Sequence, residues 1–236
     1  TRKRCVNIYY GTRFKIFGEY YKELTTKKSD MFVLGADFRT YTKIHRELIW
    51  ANRFAASTSW GPTRLVYYLG GVDNWMGYFF SKYTMFDNSI PVDPDMNYGF
   101  QALATNMRGF SQNVRNGNNF ALINSEIRWP IVRYLAGHPL RSNFLNSLQV
   151  VGFGDLGTAW TGFSPWAGDN SYDTEVIENG PVRVTLDSNR EPLVAGFGAG
   201  VRMQLLGYFI RADWAWGIEN NYILPHMFYL SFSLDF

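Results

Sequence analysis

The sequence predicts an all-β chain, an antiparallel transmembrane β-barrel, on three observations. Apolar and polar residues alternate with period two, over segments close to the roughly 9–11 residues that a tilted strand needs to cross a bilayer. Charged residues fall on one face of each alternation and Leu, Ile, Phe and Trp on the other, which a polar lumen and a lipid-facing exterior explain directly. Short and long connections alternate, as they do between the two rims of an outer-membrane barrel. Composition agrees: charged residues are 18% of 236, against roughly 25% in a typical soluble domain. Aromatics reach 18% as well, which excludes intrinsic disorder. No run approaches the roughly 18 apolar residues of a transmembrane helix. The competing class, a soluble β-sandwich, needs the apolar face inside and far fewer exposed aromatics.

Eight strands follow in order. Arg13 to Glu23 sets Phe14, Ile16, Gly18 and Tyr20 against Lys15, Glu19 and Tyr21. After a polar turn from Thr25 to Asp30, Met31 to Ile44 sets Leu34, Ala36 and Phe38 against Asp37, Arg39 and Lys43. A tight turn at His45 and Arg46 leads into Glu47 to Trp60, where Leu48, Trp50, Phe54 and Ala56 oppose Arg53, Ser57 and Ser59. Asn119 to Val132 turns Ala121, Ile123, Ile127 and Trp129 one way and Asn124, Glu126 and Arg128 the other. Ser147 to Trp160 places Leu148, Val150, Leu156 and Trp160 opposite Gln149 and Asp155. Leu193 to Leu205 opposes Phe197, Val201 and Met203 to Gly198, Gly200, Arg202 and Gln204. Tyr208 to Trp216 carries Ile210, Trp214 and Trp216 against Arg211 and Asp213. The last strand alternates without a break: Phe228, Leu230, Phe232, Leu234 and Phe236 against Ser231, Ser233 and Asp235. A fragment of a ninth strand is expected before Gly11.

Two connections are long. Residues 61–118 hold Pro62, Gly70, Gly71, Pro91 and Pro94. A structureless loop of that length is unusual in a compact domain, so a functional loop or a folded insertion is expected, inward or extracellular, within one domain over 1–236. Residues 161–190 read as a polar loop.

Enzyme signals are weak. There is no Gly-x-Ser-x-Gly elbow, and His45, His138 and His226 lie far apart. Gly196, Gly198 and Gly200 do not match the Gly-x-Gly-x-x-Gly dinucleotide pattern, and Asp87, Asp93 and Asp95 do not match a calcium loop. Glycines at alternate lumen positions suit curvature or the close approach of an inward loop. Cys5 is single, which excludes an intrachain disulfide and a cysteine zinc site. No catalytic residue, metal or cofactor is expected. The net charge of +3 is scattered, with small clusters at Arg2 to Arg4 and Lys27–Lys28, and no nucleic-acid partner is expected. The chain begins at Thr1 without initiator Met or signal peptide, as expected of a mature product or a fragment.

An ordered set of short segments carries a resemblance. Leu69-Gly70-Gly71 is followed by Met107-Arg108-Gly109-Phe110, then by Asn124 to Pro130, then by Gly152 to Gly157, and the chain closes on Phe236. This set resembles the C-terminal barrel of the BamA/TamA (bacterial surface antigen) superfamily of outer-membrane assembly and translocation proteins, from about Arg13 to Phe236. The resemblance implies a sixteen-stranded barrel, of which this chain would be the C-terminal half. It implies that the loop before the twelfth strand folds into the lumen with Met107, Arg108, Gly109 and Phe110 at its tip. It implies lumen partners Glu126 on the twelfth strand and Asp155, with Gly157, on the thirteenth. Residues 72–103 are longer than that pattern expects and suggest an external cap.

The implied partners are outer-membrane lipids, client outer-membrane proteins, the missing N-terminal half with its periplasmic domains, and accessory lipoproteins. The implied localisation is the outer membrane of a Gram-negative bacterium. Physical chemistry supports the motif independently. Glu126 and Asp155 face one lumen from adjacent strands and repel unless a cation intervenes, and the planar fork of Arg holds two acceptors at once. Gly109 permits a close backbone turn. Phe228, Leu230, Phe232, Leu234 and Phe236 resemble the terminal signal that marks outer-membrane barrels in general for insertion, which marks a client of the assembly machine and does not show that the chain is the machine. The leading expectation is an assembly or translocation factor without bond chemistry. The alternatives are a membrane anchor or secretion barrel for a fused or partner domain, and a passive pore.

Overall fold

The structure is a computed structural model that describes residues 10–24, 29–76, 89–93, 96–137, 142–168, 170, 172–179, 182–188, 190–205 and 207–233. The chain is all-β and mostly antiparallel. Its main sheet contains the eight expected strands: β1 (Gly11–Tyr21), β2 (Met31–His45), β3 (Leu48–Trp60), β7 (Asn119–Trp129), β8 (Gln149–Trp160), β11 (Val194–Leu205), β12 (Tyr208–Glu219) and β14 (Met227–Ser233). A two-residue β13 (Tyr222–Ile223) precedes β14, and both pair with β12. Strand neighbours follow sequence order, β1-β2-β3-β7-β8-β11-β12-β14, once the insertions are set aside.

The sheet is open. Among the described residues no pairing joins β1 to β14, so these strands do not close a barrel by themselves. The ninth-strand fragment before Gly11 and the terminal Leu234 and Phe236 lie outside the described residues.

Strand ends differ from expectation where local chemistry intervenes. β7 stops at Trp129, not Val132, because Pro130 has no N–H for the ladder. The chain turns there into a short helix α1 (Ile131–Ala136), which Gly137 ends at φ 70°. A second helix, α2 (Asn143–Ser147), starts where the Ser142 side chain accepts from the Leu145 N–H, so β8 begins only at Gln149.

The faces sort as the alternation demands. Phe14, Phe38, Phe54, Ile123 and Leu156 pair in register across five strands and form one exposed apolar row. Tyr20, Phe32 and Trp60 form an aromatic row nearer one rim. The opposite, inner face carries buried charge: Asp155 is 3% exposed, Arg202 4% and Asp213 0%. Apolar groups outside and charges inside reverse the ordinary burial preference of a water-soluble domain.

The insertion between β3 and β7 folds against this inner face. It contains β4 (Arg64–Leu69), β5 (Tyr98–Leu103) parallel to β4, and β6 (Arg115–Gly117) antiparallel to β4. Leu65, Tyr67, Leu69, Met107, Phe110 and Val114 of the insertion pack against Val33, Ala55, Phe120, Leu122 and Ala159 of the sheet. Of the stretch expected as an external cap, the described residues Val72, Trp75 and Ile90 are buried within the molecule. The expected polar loop after β8 contains a separate hairpin, β9 (Thr174–Asn179) with β10 (Val182–Asp187).

Candidate functional site: an arginine clamp inside the sheet

The tip of the insertion is Met107-Arg108-Gly109-Phe110, and all four residues approach the inner face. Met107 and Phe110 are fully buried and Arg108 is 2% exposed. β7 and β8 run antiparallel with Asn124 opposite Asp155, so Asn124, Glu126 and Asp155 turn inward together.

Arg108 is held on every side. Its Nε donates to Asp155 Oδ2 at 2.7 Å and its Nη2 to Asp155 Oδ1 at 2.7 Å, a two-pronged pair. Its Nη1 donates to Glu126 Oε1 at 2.8 Å, and its backbone N–H reaches Asp155 Oδ2 at 3.2 Å. The guanidinium carbon lies 3.6 Å from the centre of the Phe153 ring. Burial works against the charge, but Asp155 and then Glu126 outweigh it, and the Arg108 pKa is raised above its ordinary value. A guanidinium so placed stays cationic at every physiological pH.

The ring of charge extends further than Arg108. Glu126 also accepts from Arg128 Nε at 3.0 Å and Arg202 Nη1 at 2.9 Å. Asn124 Nδ2 donates to Asp155 Oδ1 at 2.7 Å and to the Asn106 carbonyl at 3.0 Å. Asp213 sits 3.8 Å from Arg108 and 3.9 Å from Arg211. The members are not equally dependent: Glu126 has three arginine partners, whereas Asp155 relies on Arg108 for its ion pair. Beside them opens a cavity of about 430 Å³ lined by Arg39, Arg53, Arg128, Arg202 and Arg211. Asp37 bridges two of these arginines, Arg39 and Arg53.

The backbone of the tip is clasped as well. Tyr229 on β14 accepts from the Gly109 N–H at 2.9 Å and donates to the Phe110 carbonyl at 2.6 Å. Gly109 has φ 97°, and a Cβ there would lie 2.6 Å from the Gly217 nitrogen. A Cβ on Gly196 would lie 1.9 Å from the Arg108 carbonyl oxygen. The tip therefore rests on bare backbone of β11 and β12; of the alternate glycines Gly196 meets it, whereas a Cβ on Gly198 or Gly200 would meet Trp214 or Asp213 of β12 instead.

Of the expected lumen partners, Glu126 and Asp155 meet Arg108 directly. Gly157 does not: its Cα faces Leu122 and Leu69, in the apolar layer under the insertion. Phe228, Leu230 and Phe232 lie on β14 with their alternation intact, and Tyr229 between them points inward and is 1% exposed.

Sequence reasoning placed Arg202, Arg211 and Asp213 on the polar face but did not join them to the motif. It missed Tyr229 and Phe153, because an inward aromatic in a strand with aromatics on both faces carries no parity signal of its own. It also missed Arg115, fully buried on β6, which binds Glu219 at 2.7 Å and the Glu191 carbonyl at 2.6 Å.

Tyr229→Phe is expected to orphan the Gly109 N–H and the Phe110 carbonyl together. Each orphaned buried group costs about 1–3 kcal/mol. The change should appear as a lower urea midpoint with an unchanged m value.

Compared with known proteins, the chain matches no family model and no curated protein.

Proposed function

We propose that this chain is part of an outer-membrane β-barrel that assists the insertion or translocation of other proteins, acting through a lumenal Arg-Gly-Phe clamp and an open strand edge. The observation that carries the reading is the inversion of the sheet: a continuous apolar row outside, and a buried ionic network inside that grips a folded loop. Lipid is the solvent that stabilises such an outer face. Trp50 and Trp60, both 45% exposed, are ten positions apart on β3. That separation is about 33 Å along a strand and about 25 Å when the strand tilts by roughly 40°, the height of an outer-membrane apolar band.

An open antiparallel edge presents unpaired N–H and C=O groups, which an extended client segment can take up by strand addition. β1 carries one edge of the sheet and β14 the other, which Trp75 and Met76 cover in part. The likeness of Met107 to Phe110, Glu126 and Asp155 to the assembly-barrel motif supports the same role, as the C-terminal half of a sixteen-stranded barrel. The folded insertion against the inner face speaks against a passive pore.

The test is reconstitution of the native protein, extracted from its membrane, into lipid vesicles with a urea-denatured outer-membrane barrel as client. Client folding should be faster than with empty vesicles. Equal rates would overturn the assembly reading and leave an anchoring role. The intact mass of the same preparation should be well above 27.2 kDa.

A further inference from the structure

The segment Gly71–Met76 forms a strap between the clamp and the edge of the sheet. At its start Gly71 makes an antiparallel bridge with Met107, whose N–H donates to the Gly71 carbonyl at 2.9 Å. Asp73 N–H donates to the Asn106 side chain at 2.7 Å. At its end Trp75 makes an antiparallel bridge with Ser231 of β14. Met76 N–H donates to the Leu230 carbonyl at 2.7 Å, and the Trp75 indole N–H donates to the Phe228 carbonyl at 3.2 Å.

The strap's position on β14 is specific. Residues of an antiparallel strand turn their backbone groups alternately to one neighbour and the other. β12 pairs with Met227 to Ser233 on one side. Phe228 and Leu230 give their carbonyls to the strap, so the strap holds the other side, the edge open to a further strand. Phe228, Leu230 and Phe232 each turn one N–H and one C=O to that side, and the strap meets only part of that row. Trp75 is 7% exposed and packs on the Tyr229 ring with centroids 5.0 Å apart. The same Tyr229 clasps Gly109 and Phe110. One short segment therefore touches both the residue before Arg108 and the acceptors of the edge.

We propose that Gly71–Met76 is a latch on β14: it occupies the acceptors that an extended strand would take, and such a strand pairs with β14 only when the latch leaves. This rests on the strand-addition reading above and adds to it a closed state. A strand pairing along the whole edge satisfies more backbone groups than the strap does, so it can displace the strap. The contacts at Gly71 and Asp73 make the latch sensitive to the position of the Arg108 tip.

The test uses the native protein in lipid vesicles and a fluorescein-labelled peptide with the sequence of residues 228–236. Three forms are compared by anisotropy. The released form carries Met76→Pro, which removes the N–H given to Leu230. The locked form carries Trp75→Cys with Ser231→Cys, since directly opposed antiparallel residues lie within disulfide range. Release should tighten peptide binding by about tenfold, the factor carried by one net hydrogen bond. The oxidised lock should abolish binding, and reduction of the same sample should restore it, which separates latching from misfolding. Equal binding by the wild type, the released form and both redox states of the lock overturns the latch while client folding continues. Absence of binding in every form overturns the latch too, and loss of client folding in the wild type then removes the strand-addition reading with it.

Discussion

If the chain has the assembly role proposed above, Arg108→Ala is expected to slow client folding by more than it weakens the chain's own insertion into lipid. The substitution removes both prongs of the Asp155 pair and the bond to Glu126. Glu126 keeps Arg128 and Arg202, but among the described residues Asp155 keeps only the Asn124 amide as a side-chain partner. An abandoned buried carboxylate costs about 3–5 kcal/mol. Arg108→Lys should recover little, because a point charge cannot span Asp155 Oδ1, Oδ2 and Glu126 Oε1 together. Asp155→Asn with Arg108→Ala should recover more stability than either single change predicts, since the pair is coupled. Client folding should still fall by about tenfold in that double variant, equivalent to about 1.4 kcal/mol of barrier. Equal loss of insertion and client folding in every variant would reduce the clamp to a folding brace.

Gly196→Val is the second large effect. The added Cβ would stand 1.9 Å from the Arg108 carbonyl, an approach that backbone cannot relieve without moving the tip. Overpacking of this kind costs about 1–3 kcal/mol and more where both sides are main chain. Gly154 supplies the control, since a Cβ there meets nothing within 4 Å. Gly154→Ala should stay within about 0.5 kcal/mol of the parent. Gly196→Val should also expose the tip to proteolysis between Gly71 and Met107, read by limited digestion of the reconstituted protein. Equal digestion of the two variants would mean that the tip does not rest on β11.

The strands were legible because a sheet with an apolar outer row and charges on its inner face writes its parity into every position. Phe14, Ile16 and Phe38 needed no context to be placed outside, nor Asp37 and Arg53 inside. The clamp was legible only in part. Arg108, Glu126 and Asp155 were found through an ordered resemblance, and their spacing alone would not have joined a loop residue to two strands. Tyr229 stayed hidden because its neighbours Phe228 and Leu230 look the same to a hydropathy pattern. The hairpin of β9 and β10 was readable and missed: Gly180-Pro181 stands between two alternating runs and is a turn signal, but charge and glycine gave the segment the look of a loop. β13 and the two short helices depend on Pro130, Ser142 and the Asn220–Asn221 turn, local features that a strand count overlooks.

The Tyr229 clasp has a kinetic consequence. Phe110 and Tyr229 are 119 residues apart in sequence, whereas β2 and β3 are joined by a turn at Arg46 and Glu47. Closing a segment of that length costs about 4 kcal/mol of chain entropy, far more than a hairpin turn. Neighbouring hairpins therefore zip first, and the grip of the final strand on the loop forms late. Weakening that grip should speed unfolding and leave the folding rate nearly unchanged. The chain acquires its clamp at the end of its own assembly, so a half-finished sheet has no Tyr229 clasp on the Arg108 tip.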